Sequence, residues 1–137
     1  MSVINSVLLD VIGLAQINGL YSNIVIGSMP PDNGISIAIG AGGPSTTFLA
    51  KGMAYEIYCV INGKNTEAQA VSDALNDIHQ ALTQRKTYPT GATYQITDIE
   101  TVATPAYSGR EENSQWLYSS SIRVKFYYFD EPKGDNA

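Results

Sequence analysis

The chain has 137 residues, 44% of them hydrophobic and 15% charged, with a net charge of −5 and a single cysteine. That length fits one domain with one core, and so low a charged share argues for a folded chain and against a disordered one. Eight Lys and Arg against 13 Asp and Glu leave no basic stripe for gripping phosphates, and one Cys with one His cannot form an internal disulfide or a usual zinc cluster.

A surface poor in charge implies that partners cover part of it. A lone cysteine, Cys59, fits a reducing cytoplasm. No basic segment precedes the apolar start, so no signal-peptide pattern is present, and no run approaches the roughly 18 apolar residues of a membrane span.

In chain order, residues 2–18 place Val3, Ile4, Val7, Leu8, Val11, Ile12 and Ala15 at helical spacing, with Gly19 set to stop the helix. Residues 21–26 read as a short strand. A dense turn cluster at 28–34 follows, and then Ile35, Ile37 and Ile39 alternate with Ser36 and Ala38. Two strands so close together predict a hairpin. Residues 40–52 are glycine-rich and predict a loop that also carries Phe48 and Leu49, two apolar side chains that need a surface to dock on. The alternation of residues 53–61 has bulk on both faces and predicts a central strand ended by Asn62-Gly63. Thr66 with Gln69 is a capping-box spacing. Behind it, Ala68, Val71, Leu75, Ile78 and Leu82 make one helical stripe that runs to about Gln84. Residues 94–102 predict a strand with a bulge near Asp98, because the apolar phase slips between Ile96 and Ile99. Residues 103–115, with Pro105, Gly109 and Asn113, read as a polar loop. Both this loop and the glycine-rich one are expected to be mobile in the free protein and ordered on assembly. Residues 116–129 form the last strand, with Ile122, Val124, Phe126 and Tyr128 on one face, and a polar tail frays from about residue 130.

The element order α-β-β-β-α-β-β predicts an α+β fold in a single domain, residues 1–137: a mainly antiparallel sheet with two helices packed on it. There is no internal repeat.

Chemistry is sparse. Gly40-Ala41-Gly42-Gly43-Pro44-Ser45 lacks the third glycine of a dinucleotide fingerprint and the helix behind it, and Lys51-Gly52 does not complete a P-loop. His79 lies on the flank of the helix stripe with no nucleophile motif beside it, which makes it a surface or boundary residue. Asp73 and Asp77 share a helix face off the stripe and read as solvated. Asp98 and Glu100 share a strand face near Glu111-Glu112, in a pattern unlike any calcium loop. Cys59 reads as a small buried apolar residue. Aromatic residues on the sheet, Tyr55, Tyr58 and 126–129, lack the positive charge that base stacking needs, so burial by the fold or by another subunit accounts for them better. No cofactor or metal is expected.

The stretch Pro105-Ala106-Tyr107-Ser108-Gly109-Arg110-Glu111-Glu112-Asn113, followed by 116–124 (WLYSSSIRV), resembles the tail terminator proteins of long-tailed phages and prophages, often labelled minor capsid proteins. Leu20-Tyr21 and the strand at 23–27 fit as well. The resemblance implies a structural protein, not an enzyme. It implies a six-membered ring that caps the tail tube, ends its polymerisation and presents a face to the head–tail connector, in a virion assembled in the host cytoplasm. Its implied partners are other copies of the chain, the major tail tube protein and the connector. DNA passes through without specific binding, and no membrane is involved. On this reading Phe48, Leu49, Tyr107, Arg110, Trp116 and Tyr118 are expected at subunit or partner interfaces. Asp98, Glu100, Glu111 and Glu112 are expected along an acidic channel wall that repels phosphates. The rival readings are a head-completion or head–tail adaptor protein and, from a different class, a small enzyme using His79 with Asp73 or Asp77.

Overall fold

The computed structural model describes residues 3–40 and 52–129. Its elements are α1 (Val3–Ala15), β1 (Ile24–Ile26), β2 (Ile35–Ile39), β3 (Met53–Asn65), α2 (Ala68–Thr83), β4 (Tyr94–Arg110) and β5 (Trp116–Tyr128). The α-β-β-β-α-β-β order is the expected one, and the five strands form one sheet in the order β1-β2-β3-β5-β4. Phe48, Leu49 and most of the expected glycine-rich loop lie outside the described residues, as does the expected frayed tail.

Strand alternation and the two helical stripes build a single core. Ile57, Cys59 and Ile61 of β3 and Ile122, Val124 and Phe126 of β5 are all within 1% of full burial. They meet Val71, Leu75, Ile78 and Leu82 of α2, and Ile4, Val7 and Val11 of α1, in one cluster. Each such side chain contributes roughly 1.5–3 kcal/mol on burial. The intervening positions on the strands carry Glu56, Arg123 and Lys125 and are half-buried or exposed. The sheet is therefore apolar toward the helices and polar on its other side, as an antiparallel sheet permits.

The expected β1–β2 hairpin does not form: β1 pairs with β2 in parallel, Ile24 with Ile35 through Ile26 with Ile37. A parallel pair normally needs a long crossover. Here β1 spans only three residues, so residues 27–34 suffice to return the chain to its starting level. Ile39 is exposed although it shares the parity of Ile35 and Ile37, because it lies past the end of the β1 pairing. Helix α1 ends at Ala15, earlier than expected, and Gly19 takes a left-handed φ of 92° in the turn beyond it.

β3 does not stop at Asn62-Gly63. It runs on to Asn65, with Gly63 paired to both Ile35 and Tyr118. Gly63 is a close-approach position, since a methyl there would lie 2.9 Å from Val71 Cγ1 of α2. The Thr66–Gln69 capping box does not form either. The N-cap is Glu67, with no side-chain cap bond. Asn65 Oδ1 accepts the Glu67 N–H at 3.0 Å, and Gln69 donates to Asp73 instead.

The largest departure is in β4. Residues 103–110, expected as loop, continue the strand to Arg110, and only the turn around residues 111–115 links it to β5. The predicted slip appears between Ile96 and Asp98, and three further register shifts follow, one of them between Ala103 and Ala106 around Pro105. A proline is admissible there because β4 is an edge strand, where a missing N–H need not break a ladder.

Candidate docking surface

β4 and β5 form a long ribbon whose first half is backed by α2. Its far half, residues 103–110 against 116–121, carries a different surface. Register places Tyr107 opposite Tyr118 and Arg110 opposite Trp116. The Tyr107 ring lies 5.8 Å from Trp116 and 6.1 Å from Tyr118, edge-on to the latter. The Arg110 guanidinium sits 4.7 Å over the Trp116 ring, a cation–π contact. Tyr107 is 57% exposed, the most exposed large apolar side chain among the described residues, and Val102 nearby is 44% exposed. Four of the six residues expected at interfaces thus form one patch of aromatic rings and arginine, a composition typical of the centres of protein interfaces.

A polar clamp holds the end of the ribbon. Gln115 is almost fully buried and its Oε1 accepts the Asn33 N–H at 2.8 Å. Asn113 donates to Pro31 O and to Asp32. Lys64, whose side chain is 8% exposed, pairs with Glu111 at 3.0 Å. The Tyr21 hydroxyl lies 2.9 Å from Lys64 O and 3.0 Å from Gly34 O, and burial pushes its phenol up to about 12. An open cleft lined by Lys64, Arg110, Glu111, Glu112 and Asn113 flanks the patch.

The four acidic residues expected along a channel fall into two groups. Asp98 and Glu100 lie on the helix-free side of the sheet, opposite Lys125 and Arg123 respectively. Glu100 meets Arg123 at 2.8 Å and Lys125 at 3.5 Å, and the Arg123 bond, seconded by the Lys125 charge, holds its carboxyl below the usual value. Glu56 adds a longer contact to Arg123 at 3.7 Å. Glu111 and Glu112 lie at the ribbon turn, Glu111 on Lys64 and Glu112 exposed.

His79 is neither a surface nor a boundary residue: it is 6% exposed, with Nδ1 2.8 Å from Thr101 Oγ1 and, among the described residues, no partner for Nε2. Burial lowers its pKa. Asp73 and Asp77 are exposed, as expected, and Asp73 accepts from Gln69. The histidine therefore meets a hydroxyl, not a carboxylate. Cys59 is buried as expected, and burial pushes its thiol up to about 12, which keeps it a neutral packing residue.

Sequence reasoning missed Lys64 and Gln115, which stood inside stretches read as turn and loop. It also missed a second apolar exposure, a groove lined by Asn5, Leu8, Leu9 and Ile26 beside β1. Leu9 is 44% and Ile26 54% exposed. The signal was present, since Leu9 lies off the α1 stripe.

No helix among the described residues is long and apolar enough to cross a membrane. No curated protein matches the chain. A family profile described as bacteriophage tail terminator protein matches residues 8–128. With nearly the whole α+β domain inside that match, the chain belongs to the bacteriophage tail terminator family and is a structural component of the phage virion.

Proposed function

We propose that the protein assembles into a ring, six copies by the family likeness, that caps the finished tail tube, ends its polymerisation and offers a face to the head–tail connector. The observation that carries this reading is the Tyr107–Arg110–Trp116–Tyr118 patch at the edge of the sheet, in which Tyr107 and Arg110 are exposed and Trp116 and Tyr118 half-buried beneath them. It is aromatic and bordered by the polar contacts at the ribbon end, which favours docking on a partner at low entropic cost. A closed ring needs two different surfaces on each subunit. The aromatic patch beside β4 and the aliphatic groove at Leu9 and Ile26 beside β1 belong to opposite sheet edges and are our candidates for those surfaces.

The helix-free side of the sheet is the candidate channel wall. Glu56, Asp98 and Glu100 there face only Arg123 and Lys125 among the charged partners of the ladder. Pairing trims the local repulsion of DNA but leaves the balance acidic, so a genome would slide past without a binding footprint. Glu112 and Glu111 extend the acidic set at the ribbon end.

Electron microscopy of particles lacking the protein tests the reading. Overlong tail tubes are expected. Tails of correct length beside leaking heads would overturn it in favour of an adaptor at the portal side.

A further inference from the structure

The Lys64–Glu111 ion pair occupies an unusual place in the sheet. β3 and β4 are not neighbours, because β5 runs between them. Lys64 is level with Leu117, and Leu117 with Gly109, so the lysine side chain reaches across β5 to a carboxylate just past the end of β4. Its side chain is more than nine-tenths buried and its Nζ lies 3.0 Å from Glu111 Oε1. A charge so withdrawn from water is costly unless paired, and replacing such a pair with apolar packing is often neutral for stability. The Glu111 carboxyl is 40% exposed, so the pair serves mainly to satisfy the buried lysine and adds little further to the stability of the fold.

A further role is suggested by what Glu111 adjoins. The residue before it, Arg110, carries the guanidinium stacked on Trp116. The Glu111 N–H bonds to Gln115 O, and Gln115 precedes Trp116. β5 is already paired with β3 as far as Trp116, opposite Asn65; the ion pair adds a tie from β3 to Glu111, the residue that follows Arg110 and closes the turn onto Gln115. We infer that Lys64 and Glu111 are positioning residues for the aromatic patch, setting the pose of Trp116 and Arg110 from beneath. This rests on the docking role proposed above only for its functional consequence; the positioning itself is independent of it.

Trp116 is the chain's one tryptophan, so its fluorescence reports the patch directly in the full-length protein. Lys64→Met keeps the apolar stem and removes the charge. The expected result is a red-shifted emission and an acrylamide quenching constant raised about twofold, with the thermal midpoint nearly unchanged, because the Glu111 carboxyl left behind is 40% exposed and stays hydrated. Lys64→Arg, which can reach the same carboxylate, is expected to restore the parental emission. Glu111→Gln gives a second view: it leaves the buried ammonium without a counter-charge and should lower the midpoint as well as release the tryptophan. Parental emission and quenching in Lys64→Met would overturn the inference. Binding to tube ends is scored separately, with a loss of about tenfold expected for Lys64→Met. Released Trp116 with undiminished tube binding would support the positioning role and overturn the docking role of the patch.

Discussion

The two halves of the β4–β5 ribbon share one hydrogen-bonded ladder and differ in almost everything else. In the half nearer Tyr94, Ile96 and Ile99, three apart across the first register slip, and the alternate residues Val124 and Phe126 are buried on the α2 side. In the half nearer Arg110, the strand carries Tyr107 and Arg110 against Tyr118 and Trp116, and β4 is exposed at nearly every position beyond Glu100. A strand can thus serve the core along one stretch and carry the proposed docking surface along the next. The switch comes where the register slips after Thr101.

This contrast can be broken most forcibly in the near half. Phe126→Ala removes a fully buried ring and should cost about 3–5 kcal/mol of stability, read as a lowered denaturant midpoint. Gly63→Ala strikes the boundary, where β3 passes under α2 opposite Tyr118. Its methyl crowds Val71, and we expect a loss of about 1–3 kcal/mol with a shifted Tyr118 environment. The far half should respond the other way round. Trp116→Ala is expected to leave folding within about 1 kcal/mol of the parent while weakening tube-end binding about tenfold. If unfolding suffers more than binding, the two halves are not functionally distinct.

The smallest effect is one of pH and belongs to the near half. His79 is buried against Thr101 and its folded pKa is lowered. The unfolded chain then takes up a proton at higher pH than the folded one. Stability from this group is complete above the unfolded value of about 6.5 and declines as pH falls below it. Replacing His79 with Gln should flatten the unfolding free energy between about pH 6.5 and 5.5, by less than about 1 kcal/mol. An equal slope in both proteins would remove His79 as its source.

The same division decides what could be read in the sequence. The alternation of β5 and the 3-4 spacing of α2 are dictated by the core they face, so both were legible residue by residue. The far half of β4 faces no core and carries Thr104-Pro105 and Ser108-Gly109, which resemble turn chemistry. Only pairing with β5 makes it a strand. Tyr107, Arg110, Trp116 and Tyr118 came forward through a family likeness, and their convergence depends on a register that four slips had to set. Parallel pairing of β1 was invisible for a similar reason, since nothing local in Ile24–Ile26 specifies its direction. The burial of His79 is not legible from its place on the flank of the α2 stripe, because it depends on Thr101 of β4, whose hydroxyl meets the ring.

Pro105 and the repeated bulges of β4 have one more consequence. The outermost strand of an open sheet is a template on which stray chains can grow amyloid-like stacks. A kinked rim with a missing N–H offers poor footing for such growth. The molecule can therefore display a greasy aromatic face at its margin without inviting backbone-to-backbone recruitment, so that on the docking role proposed above side-chain fit, not promiscuous strand addition, would select the partner.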